Sequence, residues 1–186
     1  MLHSGKSSFQ KALIAVGQMT AIADLDANYR VCRQFAEEAS AKQAKMLFLP
    51  ENFAFLGDHS SKSLAIAEPI EGDLIKKYRS LAKEFNIWLS LGGFQEKAPE
   101  KEDETQKLYN THIIINDQGD IITTYRKIHL FELLNESQWT NFGEQVVDPV
   151  DSPIGKLGVT ICYDLRFPEL YLNLALKGAD IFLAPS

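Results

Sequence analysis

Three side chains, Glu51, Lys127 and Cys162, are placed to do chemistry together, because each follows a short apolar run of strand-like composition: MLFL before Pro50-Glu51, IITTY before Arg126-Lys127, and LGVTI before Cys162. Strand ends of this kind gather ligand sites in open α/β sheets. A free thiol titrates near about 8.5, so attack on a carbonyl at neutral pH needs a nearby cation or a base that takes the proton. Glu51 is the candidate base, and the Lys127 ammonium is the candidate stabiliser of a developing oxyanion. Cys162 stands in an expected strand-to-helix turn, GVTICYDLRFPEL, which would lift its sulfur clear of the sheet edge and aim the backbone N–H of Tyr163 at the oxyanion. The set supplies a nucleophile, a base and an electrophilic stabiliser without a histidine, and suits attack on a carbonyl carbon.

Taken singly, each residue has a plainer reading: Cys162 as a small buried hydrophobe, Glu51 as a cap after Pro50, Lys127 as a solvated charge. Their common placement favours chemistry. Cys32 falls on the apolar face of a helix and is assigned to core packing. His3, His59, His112 and His129 show no metal-binding spacing, so no metal site is expected. Gly5-Lys6-Ser7 imitates the end of a phosphate-binding loop, but it lacks the upstream glycine and precedes the first strand. Asp164, Arg166 and Glu169 are expected to form an ion-pair network that holds the Cys162 turn.

Positioning these groups falls to the following elements. Ala12 to Met19 reads as a buried strand, and Asp24 and Asp26 offer N-caps to a helix ending near Ala44, with Val31, Cys32, Phe35, Ala36 and Ala39 on one face. Met46 to Leu49 is a second buried strand, Gly72 to Asn86 an amphipathic helix, and Ile87 to Leu91 a third strand stopped by Gly92 and Gly93. Ala98 to Lys107 reads as a charged loop. Tyr109 to Asn116 and Ile121 to Tyr125 form a hairpin around Asp117-Gln118-Gly119-Asp120. Ile128 to Pro153 is a long irregular segment of the kind that is usually functional. Leu157 to Ile161 is a buried strand, Phe167 to Lys177 a helix capped by Gly178, and Asp180 to Ala184 a last strand. Strands alternating with helices around one hairpin indicate an α/β protein with a mixed sheet.

The 186 residues are 45% hydrophobic and 24% charged, enough for one globular domain, placed at residues 11–186. A net charge of -6 argues against a nucleic-acid surface, and no apolar run reaches the roughly 18 residues of a membrane span. The expected partner is a small molecule or another protein. Two distant cysteines suggest neither a disulfide framework nor a zinc site, and Met1 to Gln10 has no signal core, so a reducing, cytoplasmic setting is expected.

The segments LFLPENF around Glu51, YRKIHLF around Lys127 and GVTICYDLRFPELY around Cys162 resemble, in order, the three signature regions of the nitrilase (carbon–nitrogen hydrolase) superfamily. GQMTAIADLDAN, LSLGGFQE and QKLYNTHIIIN are most similar to its branch of deaminated glutathione amidases. The resemblance implies a four-layer αββα sandwich, here C-terminally truncated, and homo-oligomers in the full-length form. It implies Cys162 as nucleophile, Glu51 as general base, Lys127 as oxyanion stabiliser, Tyr163 as donor of a backbone N–H and Glu136 as a second glutamate that helps position substrate. The implied reaction is hydrolysis of a small ω-amide, such as deaminated glutathione, through a thioester with release of ammonia and without a cofactor. A nitrilase, an N-carbamoyl amide hydrolase and a non-catalytic interaction form are the alternatives.

Overall fold

The computed structural model describes residues 11–99 and 106–186. Helix α1, Leu25–Ala41, starts where Asp24 accepts a hydrogen bond from the Ala27 N–H at 2.9 Å, a side-chain N-cap. Cys32, Ala36 and Ala39 on its inner face are buried, as expected, with Asn28 beside them. Val31 turns outward instead, Phe35 packs at the margin of the core, and the helix stops at Ala41. Helix α3, Asp73–Phe85, ends at Asn86 in the left-handed conformation, a short polar residue that tolerates positive φ. The short helix α2, Ser60–Ile66, carries no buried residue and so lacks the periodicity that reveals α1 and α3.

Five strands form the larger sheet in the order β1-β2-β3-β4-β5: Ile14–Val16, Met46–Leu49, Trp88–Lys97, Leu108–Ile115 and Ile121–Arg126. The first three run parallel, and β3, β4 and β5 form an antiparallel meander. Strand β1 is not buried: it pairs only with β2, and Val16 is 74% exposed. Strand β3 does not stop at its glycines but bulges between Leu91 and Phe94 and continues to Lys97. Of the expected charged loop at 98–107, residues 100–105 lie outside the described residues.

Residue alternation on these strands builds the layers. Leu47, Leu49, Leu89, Leu91, Ile113 and Ile115 point to α1 and α3, while Met46, Phe48, Trp88 and Ile114 point the other way. That second face meets Leu157, Val159 and Leu183 of a separate sheet, β6 (Leu157–Val159) paired in parallel with β7 (Ile181–Leu183). Helix α4, Pro168–Leu176, covers the far side of β6, where the Leu174 side chain closes over Gly158. The layers are therefore helix, sheet, sheet, helix, and the single mixed sheet read from the strand pattern is two sheets.

Candidate active site

Glu51 follows β2 at a corner that is fixed on both sides. The next residue, Asn52, is left-handed (φ 58), sends its N–H to the Gly93 carbonyl at 3.0 Å, and accepts a hydrogen bond from Gln95 Nε2 at 2.8 Å. Gly93 sits in the β3 bulge with φ 82, and a Cβ there would lie 2.8 Å from both Glu51 Cγ and Asn110 Oδ1. The glycine read as a strand stop is thus what lets the backbone come up against Glu51.

Lys127 follows β5, its N–H bonded to the Asn110 carbonyl at 2.9 Å and its side chain only 2% exposed. Its ammonium reaches Glu51 Oε1 at 3.1 Å and the two oxygens of Glu136 at 3.0 and 3.2 Å. Glu136, on the irregular segment, also accepts the Phe131 N–H at 2.7 Å. Burial alone would pull Lys127 down, but the two carboxylates and their hydrogen bonds outweigh it and hold the ammonium above its ordinary value.

Cys162 opens a tight helical turn with φ 44, a left-handed conformation that costs a non-glycine residue on the order of 1–3 kcal/mol. Its N–H is bonded to the Pro185 carbonyl at 2.8 Å. The thiol is pushed above its ordinary value, first by burial and then by the Glu51 charge, with Lys127 pulling the other way. A thiol raised in this way needs a proton acceptor before it can act as a nucleophile.

The structure brings Glu51, Lys127, Glu136 and Cys162 to the wall of one cavity of about 590 Å³, and Tyr163 follows Cys162 in the same turn. Leu56, Phe94, Phe131 and Trp139 give the cavity an apolar side, and Ser60, Ser63 and Thr140 a neutral polar one. Among the described residues that line it, only Lys127 and His59 can carry positive charge.

The expected ion-pair network behind Cys162 is a different one. Asp164 is fully buried and accepts from Tyr125 Oη at 2.7 Å and the Ile161 N–H at 2.9 Å, and it pairs with His129 Nδ1 at 2.7 Å. Arg166 and Glu169 are exposed. His129, read as a loop residue, stacks on Phe167 with ring centroids 3.6 Å apart. Asn110 was not singled out from the sequence, yet its Nδ2 donates to Glu51 Oε1 at 2.8 Å. The signal that could have found it is the run LYNTHIII, in which Asn110 and His112 share one strand face with the apolar Leu108 and Ile114.

The carbon-nitrogen hydrolase profile matches residues 13–186, nearly all of this architecture. The chain belongs to the carbon-nitrogen hydrolase family. It is 41% identical over 193 residues to the deaminated glutathione amidase of Rattus norvegicus, a match that covers 100% of this chain and 59% of the rat protein. The chain thus spans about three fifths of the length of that curated relative. The crystal structure of the Caenorhabditis elegans NitFhit protein superposes with a TM-score of 0.83 at 39% identity, over 95% of this chain and 45% of that one. A mutant amidase from Nesterenkonia sp. AN1, shown with acrylamide added at its active-site cysteine, superposes with a TM-score of 0.78 at 27% identity, over 94% of this chain and 66% of that one. The two-sheet core between flanking helices is accordingly the nitrilase-type fold of this family. No helix among the described residues is long and apolar enough to cross a membrane.

Proposed function

We propose that this carbon-nitrogen hydrolase chain carries the site of a cysteine-dependent amidase that releases ammonia from a small ω-amide, with deaminated glutathione or a related α-keto amide acid as substrate. The convergence of Glu51, Lys127 and Cys162 on one cavity, with the thiol held protonated beside a carboxylate, carries the reading. The name of the rat relative supports the substrate class, and the acrylamide adduct of the Nesterenkonia amidase supports a reactive cysteine in this fold.

In the proposed cycle the Cys162 sulfur attacks the amide carbon as its proton passes to Glu51. The oxyanion is met by the Lys127 ammonium and the Tyr163 N–H. Glu51 returns the proton to the leaving nitrogen, the C–N bond breaks, and ammonia departs from a Cys162 thioester. Water then adds to the thioester carbon, giving a proton to Glu51; the C–S bond breaks, Glu51 returns the proton to the sulfur, and the carboxylic acid leaves with the thiol regenerated. Glu136 keeps Lys127 in place, and His59, at the mouth beside Ser60, is the available partner for a substrate carboxylate. Free thiols at Cys32 and Cys162 fit a reducing, cytoplasmic setting, and a homo-oligomer is the expected assembly of the full-length family form.

The test is ammonia release from a panel of ω-amides, nitriles and N-carbamoyl compounds. Turnover of an ω-amide that disappears in Cys162→Ala supports the proposal. Turnover only of a nitrile, carbon dioxide released with ammonia, or amide turnover that survives Cys162→Ala overturns it.

A further inference from the structure

Glu51 and Glu136 face one ammonium, Lys127, so the cluster of two carboxylates and one ammonium is left one positive charge short of neutrality. The side chain that bridges the remaining gap is neutral. Asn110 Nδ2 lies 2.8 Å from Glu51 Oε1 and 3.4 Å from Glu136 Oε1, so its two N–H bonds span both carboxylates. The Asn110 backbone carbonyl also accepts the Lys127 N–H at 2.9 Å, so one residue of β4 ties all three charged groups to the sheet. On Glu51 both donors fall on Oε1, which leaves Oε2 as the oxygen for the thiol proton.

Asn110 is 8% exposed, and its own Oδ1 has no hydrogen-bond partner. A buried acceptor left unpaired costs on the order of 1–3 kcal/mol, a loss that an apolar residue on this strand face would not incur. The opposite amide orientation would relieve nothing, because it would aim the carbonyl at two carboxylates. A residue kept only for packing has no reason to bear this cost. A lysine or arginine could bridge the same gap, but a second cation would stabilise the ionised carboxylates and weaken Glu51 as a base.

We propose that Asn110 is the positioning residue of the base: a neutral two-pronged donor that fixes the distance between Glu51 and Glu136 and reserves Glu51 Oε2 for the Cys162 proton. The inference rests on the reading of Glu51 as general base. The charged and titratable groups that face Glu51 are Lys127 from the end of β5, Glu136 from the irregular segment and Cys162 from the turn after β6, with Asp58 and His59 lining the same cavity.

The experiment is a carboxyl-carbon NMR titration of the chain labelled at glutamate Cδ, with the Glu51 signal assigned through Glu51→Gln. In Asn110→Ala the Glu51 carboxylate loses a donor and takes up its proton at higher pH than in the parent chain, by about one unit, and in Asn110→Asp the added negative charge moves it further. Where amide turnover is measurable, the acidic limb of its pH profile moves up by the same amount while KM stays nearly constant. If Asn110→Ala fails to fold, Asn110→Ser is read in the same way, because its hydroxyl is too short to span both carboxylates. A Glu51 titration unmoved in folded variants overturns the assignment. The amidase reading fails separately, by absence of amide turnover in the parent chain, so the two outcomes are distinguishable.

Discussion

Cys32 and Cys162 carry the same thiol in opposite surroundings. Cys32 lies inside α1, fully buried, its sulfur 3.7 Å from that of Met19, and burial pushes it up to about 11. Cys162 is half-buried at a strained turn, lines a cavity and has a carboxylate and an ammonium beside it. Burial raises both thiols, so acidity alone does not separate them. What separates them is access and a proton acceptor: Cys162 has Glu51 within reach of its sulfur, and Cys32 has Met19 and Tyr78. On the proposed reading, what sets Cys162 apart is its place at a strand end, not the thiol itself.

The largest effects should come from removing one thiol or the other. Cys162→Ala should lower amide turnover by roughly 10⁴-fold or more, to background. Cys32→Ala should leave turnover within about twofold and cost on the order of 1 kcal/mol in urea unfolding, as a small core truncation does. Parallel steady-state assays and urea melts of the two variants check this, and equal losses of turnover would erase the distinction between the cysteines.

Glu51→Gln should split reactivity from catalysis. Turnover should fall roughly 10²- to 10⁴-fold because the proton acceptor is gone. The thiol itself should become more acidic, because a raising charge is removed while Lys127 remains. Thiolate absorbance near 240 nm, followed against pH, reports the second effect, and a titration that moves upward would contradict it.

Gly93→Ala should be felt at the cavity that Cys162 lines. Its Cβ would meet Glu51 and Asn110 at 2.8 Å on a backbone with φ 82, so a stability loss of about 1–3 kcal/mol and a collapse of turnover should come together. Retained activity in this variant would show that the bulge has room to relax.

The last effect leaves turnover aside and concerns the tie behind Cys162. His112, fully buried between Ser90 Oγ (2.7 Å) and the Thr160 carbonyl (2.9 Å), joins the larger sheet to the residues just before Cys162, and burial pushes it down to about 4. Below about 6.5 the unfolded chain takes up a proton that the folded chain refuses, so His112 favours folding at higher pH. Stability should fall by about 1.4 kcal/mol per pH unit from about pH 6.5 down to pH 4 on this account. Urea midpoints across that range, compared with His112→Gln, should show a shallower slope in the variant.

The parts of the fold with clear periodicity were legible: α3 between Gly72 and Asn86, the hairpin around Gly119, and the three strand ends that hold Glu51, Lys127 and Cys162. The second sheet was legible only through the family resemblance, which implied the αββα sandwich; the strand pattern missed it, because three-residue strands such as Ile181–Leu183 carry no alternation to assign to a face. The run of β3 through Gly92 and Gly93 was hidden because glycine ordinarily punctuates a strand, whereas here it makes room for Glu51 and, at Gly92, for Pro185. Asn110 was hidden because a polar strand residue reads as a surface residue until both faces of the strand are known to be covered. The partners of Asp164 come from β5 and the loop after it rather than from neighbouring charges, and such long-range pairing leaves no local pattern.

The most direct test is site-resolved alkylation by iodoacetamide across pH, read by peptide mass spectrometry on the native parent chain, Glu51→Gln and Lys127→Met. The account predicts that Cys162 labels faster than Cys32 at every pH, with a rate that climbs as its thiolate forms, and that Cys32 is protected by burial. It further predicts a Cys162 profile that moves to lower pH in Glu51→Gln and to higher pH in Lys127→Met. Equal labelling of both cysteines across the pH range, or a Cys162 profile indifferent to both substitutions, would contradict an assembled Glu51, Lys127 and Cys162 site.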